Sequence, residues 1–402
     1  MSTSAVRTRP SPRRRRGTAT TLAVLLSAAL LAVGCSSDDT AEDGSSVEET
    51  TSTTEAAPSD DLAPPDEPGP FSVGRTTIEF EDPARERPLV ADVWYPADAG
   101  ATGEPSVYQF LPGIEFAAES ALADVAVSTD GPFPLVVYSH GSGGLRYVAS
   151  FYTELLASHG FVVASVDHVG NTAVDTIGGA EPPREQIAHD RVLDVDVLID
   201  QMLERSAASA GPFAGTVDPD RIGVTGHSFG AFTALATAGG FSNELGAIPA
   251  DERVDAIVAM APASRLNSDE ELESIDVPTL LVSGTLDETT PIDPQTERPW
   301  ELIPGRPLWR VDITDAGHQS FTDVCRYQEL LPTFTDVPQI LIDAVDEYAS
   351  EGCAEGYAPI DEAHRLINRA TVAFLLAYVA GEDSYEAFLA EELPGEVVQV
   401  KE

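Results

Sequence analysis

RIGVTGHSFG (residues 221–230) runs from a short apolar segment, Ile222 to Thr225, into Gly226-His227-Ser228-Phe229-Gly230. The Ala-rich, helix-compatible stretch Ala231 to Ala238 follows at once. The pattern is strand, sharp turn, helix, with Ser228 at the apex. Small residues are needed on both sides because the serine backbone of such a turn is strained and packs against strand and helix. The turn presents Ser228 Oγ at the end of a sheet strand and leaves the next amide, that of Phe229, free to bind an oxyanion. The pentapeptide alone is weak evidence; the strand before it and the helix after it give it weight.

A serine hydroxyl needs a base within hydrogen-bond reach and a third group to orient that base. On a serine turn of this kind the partners follow in the order acid, then histidine. The acid is expected in VPTLLVSGTLDETTP (277–291). Thr279 to Val282 reads as a buried strand, Gly284 ends it, and Asp287 lies in the loop beyond, where groups collect in parallel sheets. Asp276 is at the wrong end; Glu288 and Asp293 remain as fallback acids. The base is expected at His318: LWRVDI (308–313) alternates like a strand, and Gly317 lets the chain turn. His140 and His227 precede Asp287, and His364 falls in a helical pattern. A second oxyanion donor is expected from the glycine-rich turn SHGSGG (139–144) after the apolar strand 134–138, through the Ser142 amide. That turn lacks the lysine of a P-loop and the spacing of a dinucleotide site.

Together these stretches resemble the α/β-hydrolase superfamily, and more closely the bacterial esterases grouped with platelet-activating-factor acetylhydrolases and dienelactone hydrolases. The carrying segments are ADVWYPA (91–97), PLVVYSHGSGG (134–144), LASHGFVVASVDHVGNT (156–172), GHSFGAFTAL (226–235), VPTLLVSGTLDETTP (277–291) and AGHQSFTD (316–323). The Asp287 segment and ASHGFVV also look like those of bacterial cutinases and polyester hydrolases. The resemblance implies an α/β-hydrolase fold, a mostly parallel sheet with helices on both faces, and ester hydrolysis through an acyl-enzyme. Animal acetylhydrolases carry the acid after the preceding strand. Here that strand reads AIVAMAPAS (256–264) without a carboxylate, which leaves Asp287 and puts phospholipid specificity in doubt.

The ends and the charge bound the setting. Residues 1–34 read as an export signal: six arginines, then the apolar run Thr18 to Gly34, short for a spanning helix. LAVGC ends it as a lipobox does, so Cys35 is the expected lipidation site, anchoring the chain to the outer face of a bacterial cell membrane. Residues 35–70, rich in Ser, Thr, Pro and acids, read as a disordered tether, and 71–402 as the catalytic domain. Without residues 1–34 the chain holds 17 basic and 67 acidic side chains, a net charge of −50. This argues against nucleic acid as a partner. The chain is expected to act as a monomer on small-molecule, lipid or polymer esters, with no cofactor and no metal, since no cluster has zinc-like spacing. With Cys35 lipidated, Cys325 and Cys353 are the two cysteines left, and in an oxidising compartment they are expected to pair.

Within the domain, strands are expected near 73–81, 89–96, 134–139, 161–167, 254–260, 278–283 and 308–313, besides the one before Ser228. Helices are expected near 147–159, 184–207, 361–380 and 383–391, and a loop-rich insertion over 97–131. Segments 101–130 (with Tyr108, Phe110 and Phe116), 169–185 and 322–358 are candidates for shaping the acyl pocket. Phe229 and Phe321 could line it, and His168 could face it. The rival readings are acyl transfer or peptide hydrolysis on the same fold, and a non-catalytic ligand-binding surface lipoprotein.

Overall fold

The computed structural model describes residues 62–111 and 113–402. The expected leader 1–34, Cys35 and most of the expected tether lie outside the described residues. Residues 62–70, read from composition as the end of the tether, instead rest on the domain. The Gly69 amide donates to Ser158 Oγ (2.9 Å), Asp66 pairs with Arg365 (3.2 Å), and Leu62 packs on the core. Low hydrophobicity thus hid a short segment whose backbone finds partners on the domain surface.

The architecture is mixed α/β around one large sheet. In chain order its strands are β1 (Ser72–Asp82), β2 (Arg87–Ala97), β3 (Pro105–Leu111), β4 (Ile114–Ala123), β5 (Phe133–Ser139), β6 (Val162–Val166) and β7 (Val217–His227). A small hairpin, β8 (Phe241–Asn243) and β9 (Gly246–Ile248), stands apart, and β10 (Ala256–Met260), β11 (Thr279–Gly284), β12 (Leu308–Ile313) and β13 (Glu396–Lys401) complete the sheet. The sheet order is β13-β12-β11-β10-β7-β5-β6-β2-β1-β4-β3. The six strands β12 to β6 in that order are parallel throughout; β2 and β13 pair antiparallel at either side.

The central strands are near-continuous apolar runs because both faces are covered. Side chains alternate across the sheet, so each strand feeds two cores. Val136, Tyr138, Val258 and Val282 face the helices Ser150–Ser158 and Ile360–Tyr378. Leu135, Val137, Val224 and Leu281 face the helices Arg184–Ala207 and Phe229–Gly239. Arg184–Ala207 buries Ile187, Ala188, Arg191, Val192, Val195, Leu198, Ile199 and Met202, a stripe at helical spacing.

One expectation needs correction, and two further features appear. The 97–131 insertion is not mainly loop: β3 and β4 form a hairpin at the sheet edge, turning at Gly113, whose φ is +84°. Tyr108 and Phe116 alternate inward there and join the core instead of a pocket. The segment 322–358 contains the helices Val324–Leu330 and Gln339–Ala349. The C-terminus adds a strand, β13, beside β12.

Candidate active site

β7 ends at His227, and Ser228 turns the chain with φ 57° and ψ −114° before the helix Phe229–Gly239 begins. For a residue other than glycine this is a strained backbone, held by its surroundings. The Ser228 amide donates to the Met260 carbonyl (2.9 Å), and its carbonyl accepts from the Ala231 and Phe232 amides (3.1 Å each). A Cβ at Gly226 would lie 2.4 Å from Gly230, and one at Gly230 would lie 1.8 Å from the Ser139 carbonyl oxygen. Both glycines are therefore required by close approach of the backbone.

Three loops at the carboxyl ends of β7, β11 and β12 converge. Ser228 Oγ lies 2.9 Å from His318 Nε2, and His318 Nδ1 lies 2.8 Å from Asp287 Oδ2. All three side chains are largely buried, Ser228 being 9 % exposed. Asp287 also accepts from the Thr290 amide (2.6 Å), and the Thr290 hydroxyl lies 2.7 Å from Oδ2. Burial alone would raise the Asp287 carboxyl; the hydrogen bond and charge of His318 and the Thr290 donors outweigh it and hold it below the ordinary aspartate value. The fallback acids stand elsewhere: Glu288 and Asp293 are exposed. His227 lies behind the base, its Nε2 2.9 Å from the His318 carbonyl oxygen. Burial and the neighbouring His318 push its pKa far down, so it stays neutral.

The turn after β5 passes close to Ser228: a Cβ on Gly141 would sit 3.4 Å from the Ser228 Cβ. The amides of Ser142 and Phe229 have no hydrogen-bond partner among the described residues, which leaves both able to donate to a ligand. The Gly143 and Gly144 amides are used internally, to the carbonyls of Asn171 (3.2 Å) and Gly141 (3.1 Å).

Ser228 and His318 open into a cleft of about 630 Å³ walled by Phe110, Leu145, Val148, Ile177, Val324 and Leu341. All three candidate pocket segments contribute. The lining includes the carboxylates Asp343, Glu347 and Glu351 and, among the described residues, no Lys or Arg. Two aromatic expectations do not hold. The Phe229 ring packs on Phe232, and the Phe321 ring stacks on His227 (centroids 5.9 Å apart); neither reaches the cleft. His168 does not face it either. It is fully buried, with Nε2 2.9 Å from Ser139 Oγ and Nδ1 3.0 Å from Asp194 Oδ2.

The Cys325 and Cys353 Sγ atoms lie 2.07 Å apart, with Cα atoms 5.4 Å apart. The segment between them forms one wall of the cleft. Two residues near it escaped the sequence reading. Glu351 accepts from the Thr289 amide (2.9 Å) and hydroxyl (2.6 Å), beside Asp287. Arg191 lies buried under the Ser142 turn. Its signal was present: an arginine on the apolar stripe of the helix Arg184–Ala207.

Comparison with known proteins agrees with this geometry. Residues 114–201 match the family described as platelet-activating factor acetylhydrolase, isoform II. This match covers the Ser142 turn and ends before Ser228. The chain resembles platelet-activating factor acetylhydrolases and cutinases. A platelet-activating factor acetylhydrolase of Canis lupus familiaris is 29% identical over 143 residues, covering 27% of this chain and 32% of the relative. Cutinase est1 of Thermobifida alba is 28% identical over 169 residues, 42% of this chain and 47% of the relative. The acetylhydrolase of Cavia porcellus is 20% identical over 292 residues, 65% of this chain and 61% of the relative. In each case the match spans less than two thirds of the relative's length.

Proposed function

We propose that this chain is a serine hydrolase of carboxylic esters built on the α/β-hydrolase fold. The reading is carried by one observation, the hydrogen-bonded chain from Asp287 through His318 to Ser228 at the floor of an apolar cleft. Ser228 Oγ attacks the ester carbonyl carbon while His318 Nε2 takes its proton. Asp287 fixes the imidazole through Nδ1–H and stabilises its cation. The Ser142 and Phe229 amides receive the tetrahedral oxyanion. Collapse breaks the carbonyl–alkoxy bond, His318 protonates the leaving alcohol, and water then hydrolyses the acyl-enzyme by the same route. The similarity to acetylhydrolases and cutinases supports the ester as substrate class.

The cleft narrows that class. Its walls are apolar and its charged members are carboxylates, so it favours neutral esters with an apolar acyl group and disfavours anionic ones. We further propose that the chain is exported and held at the outer membrane face by a lipid on Cys35, acting there as a monomer.

The decisive test is Ser228→Ala, which is expected to lower kcat on a p-nitrophenyl ester by roughly 10⁴ while the protein stays folded. Near-wild-type turnover would overturn the reading.

A further inference from the structure

We infer that Arg191 is a positioning residue that holds both oxyanion-binding amides in register from beneath. The inference rests on the ester-hydrolase reading. Arg191 has no exposed surface, and arginine is rarely buried completely without a specific use. Its guanidinium donates to the His140 carbonyl oxygen, to Asn171 Oδ1 (2.7 Å), to Ser139 Oγ (3.2 Å) and to Thr233 Oγ1 (3.3 Å). Every one of these acceptors is a neutral oxygen. His140 opens the turn that carries Ser142. Asn171 passes the contact on: its Nδ2 lies 3.1 Å from Ser142 Oγ, and its carbonyl accepts from the Gly143 amide (3.2 Å). Arg191 Cζ also lies 4.8 Å from the centroid of the Phe229 ring. One guanidinium thus reaches the Ser142 turn from both sides and the residue bearing the other amide donor.

An ion pair does not account for this arrangement. The nearby Asp194 is engaged by Arg85 (2.7 Å), Arg87 (2.9 Å) and His168 (3.0 Å). A buried charge whose hydrogen bonds all end on neutral groups is costly to keep. It is useful where negative charge develops transiently nearby, because fixed donors and dipoles need no reorganisation when the oxyanion forms. Burial lowers the guanidinium to about 9, so it is protonated at neutral pH.

The test uses Arg191→Met, Arg191→Lys and Asn171→Ala in the full chain. Active sites are counted by fluorophosphonate titration of Ser228, so kcat refers to folded enzyme. The affinity of a neutral arylboronic acid that forms a tetrahedral adduct is measured in parallel. Arg191→Met is expected to lower kcat per titrated site about 10- to 100-fold, with KM within about threefold and boronate affinity falling in step with kcat/KM. Arg191→Lys, which keeps the charge and loses the fork, should fall between Arg191→Met and the wild type. Asn171→Ala, which cuts the link to Ser142 and leaves Arg191 in place, should show a smaller loss of the same kind. If Arg191→Met does not fold, the other two variants decide. An unchanged kcat per titrated site, or a loss confined to KM or to the number of titrated sites, would reduce Arg191 to core packing. A wild-type chain that neither labels at Ser228 nor hydrolyses esters would overturn the ester-hydrolase reading instead.

Discussion

The Glu351 carboxylate accepts from both the amide and the hydroxyl of Thr289, at 2.9 and 2.6 Å, and so ties the segment between Cys325 and Cys353 to the loop that carries Asp287. The Glu351 carbonyl also accepts from the Gln319 amide (2.8 Å), next to His318. Acid loop and base loop are therefore braced by one residue. Glu351→Ala should lower kcat by roughly tenfold, since small misplacements of reacting groups are costly, with Tm moved by only a few degrees. Unchanged kcat with a lowered Tm would show that the brace serves stability alone.

Asp287, not Asp293 or Glu288, is expected to orient the imidazole. Asp287→Asn should cost on the order of 10⁴ in kcat by favouring the wrong tautomer. Asp293→Asn should cost little, because that side chain is exposed and makes no hydrogen bond to His318. Steady-state kinetics of the two variants side by side decides the assignment; a larger loss in Asp293→Asn would reverse it.

The candidate site was legible in the sequence because a strained serine turn leaves a mark that composition does not. Gly226 and Gly230 stand where any side chain would strike backbone, and the acid and base each follow a short apolar strand ended by a turn. The helix Arg184–Ala207 and the strand β12 were readable to the residue from their periods. The β3–β4 hairpin was obscured by the glycines and prolines around it, and β13 by its short run of mixed residues. The helices of 322–358 are broken up by Pro332 and Pro338, although Leu341, Val345 and Ala349 in Gln339–Ala349 do stand at helical spacing. The contacts of Arg191 and Glu351 could not be read at all, since they depend on how a helix and a loop dock against distant turns.

Stability should fall on mild acidification through the half-buried His364. His364 stacks on Phe151 (centroids 3.5 Å apart), and burial lowers its pKa from 6.5 to about 4. Between those values the unfolded chain binds a proton that the folded chain does not, so stability drops as pH falls through that window, by at most about 3 kcal/mol for this group. His364→Gln should be less stable than the wild type at pH 7, and the gap in Tm should narrow toward pH 4.5. Parallel Tm curves across that range would rule out the contribution.

Cys35 lies outside the described residues, and its role is testable in cells. Cys35→Ser should release the protein from membranes with ester hydrolysis intact. A variant that stays membrane-bound with its first 34 residues attached would make Thr18 to Gly34 an anchor instead.

The Cys325–Cys353 pair offers a different lever on the same cleft. The two Cα atoms are 5.4 Å apart across a separation of 28 residues. Val324, Leu341 and Glu351, all on or beside that segment, line the cleft. An oxidised link would remove conformational freedom from the unfolded chain, worth about 3–4 kcal/mol on the chain-entropy account. It would also hold Glu351 against the Asp287 loop. Thiol counting on the unfolded, unreduced protein lacking residues 1–35 should find no reactive thiol. Reduction should lower Tm and, by loosening Glu351, lower kcat more than KM changes. The kcat loss should be much smaller in Glu351→Ala, where the brace is already gone, whereas the Tm loss should persist. Two reactive thiols before reduction would refute the bridge, and an equal kcat loss in both proteins would uncouple it from Glu351.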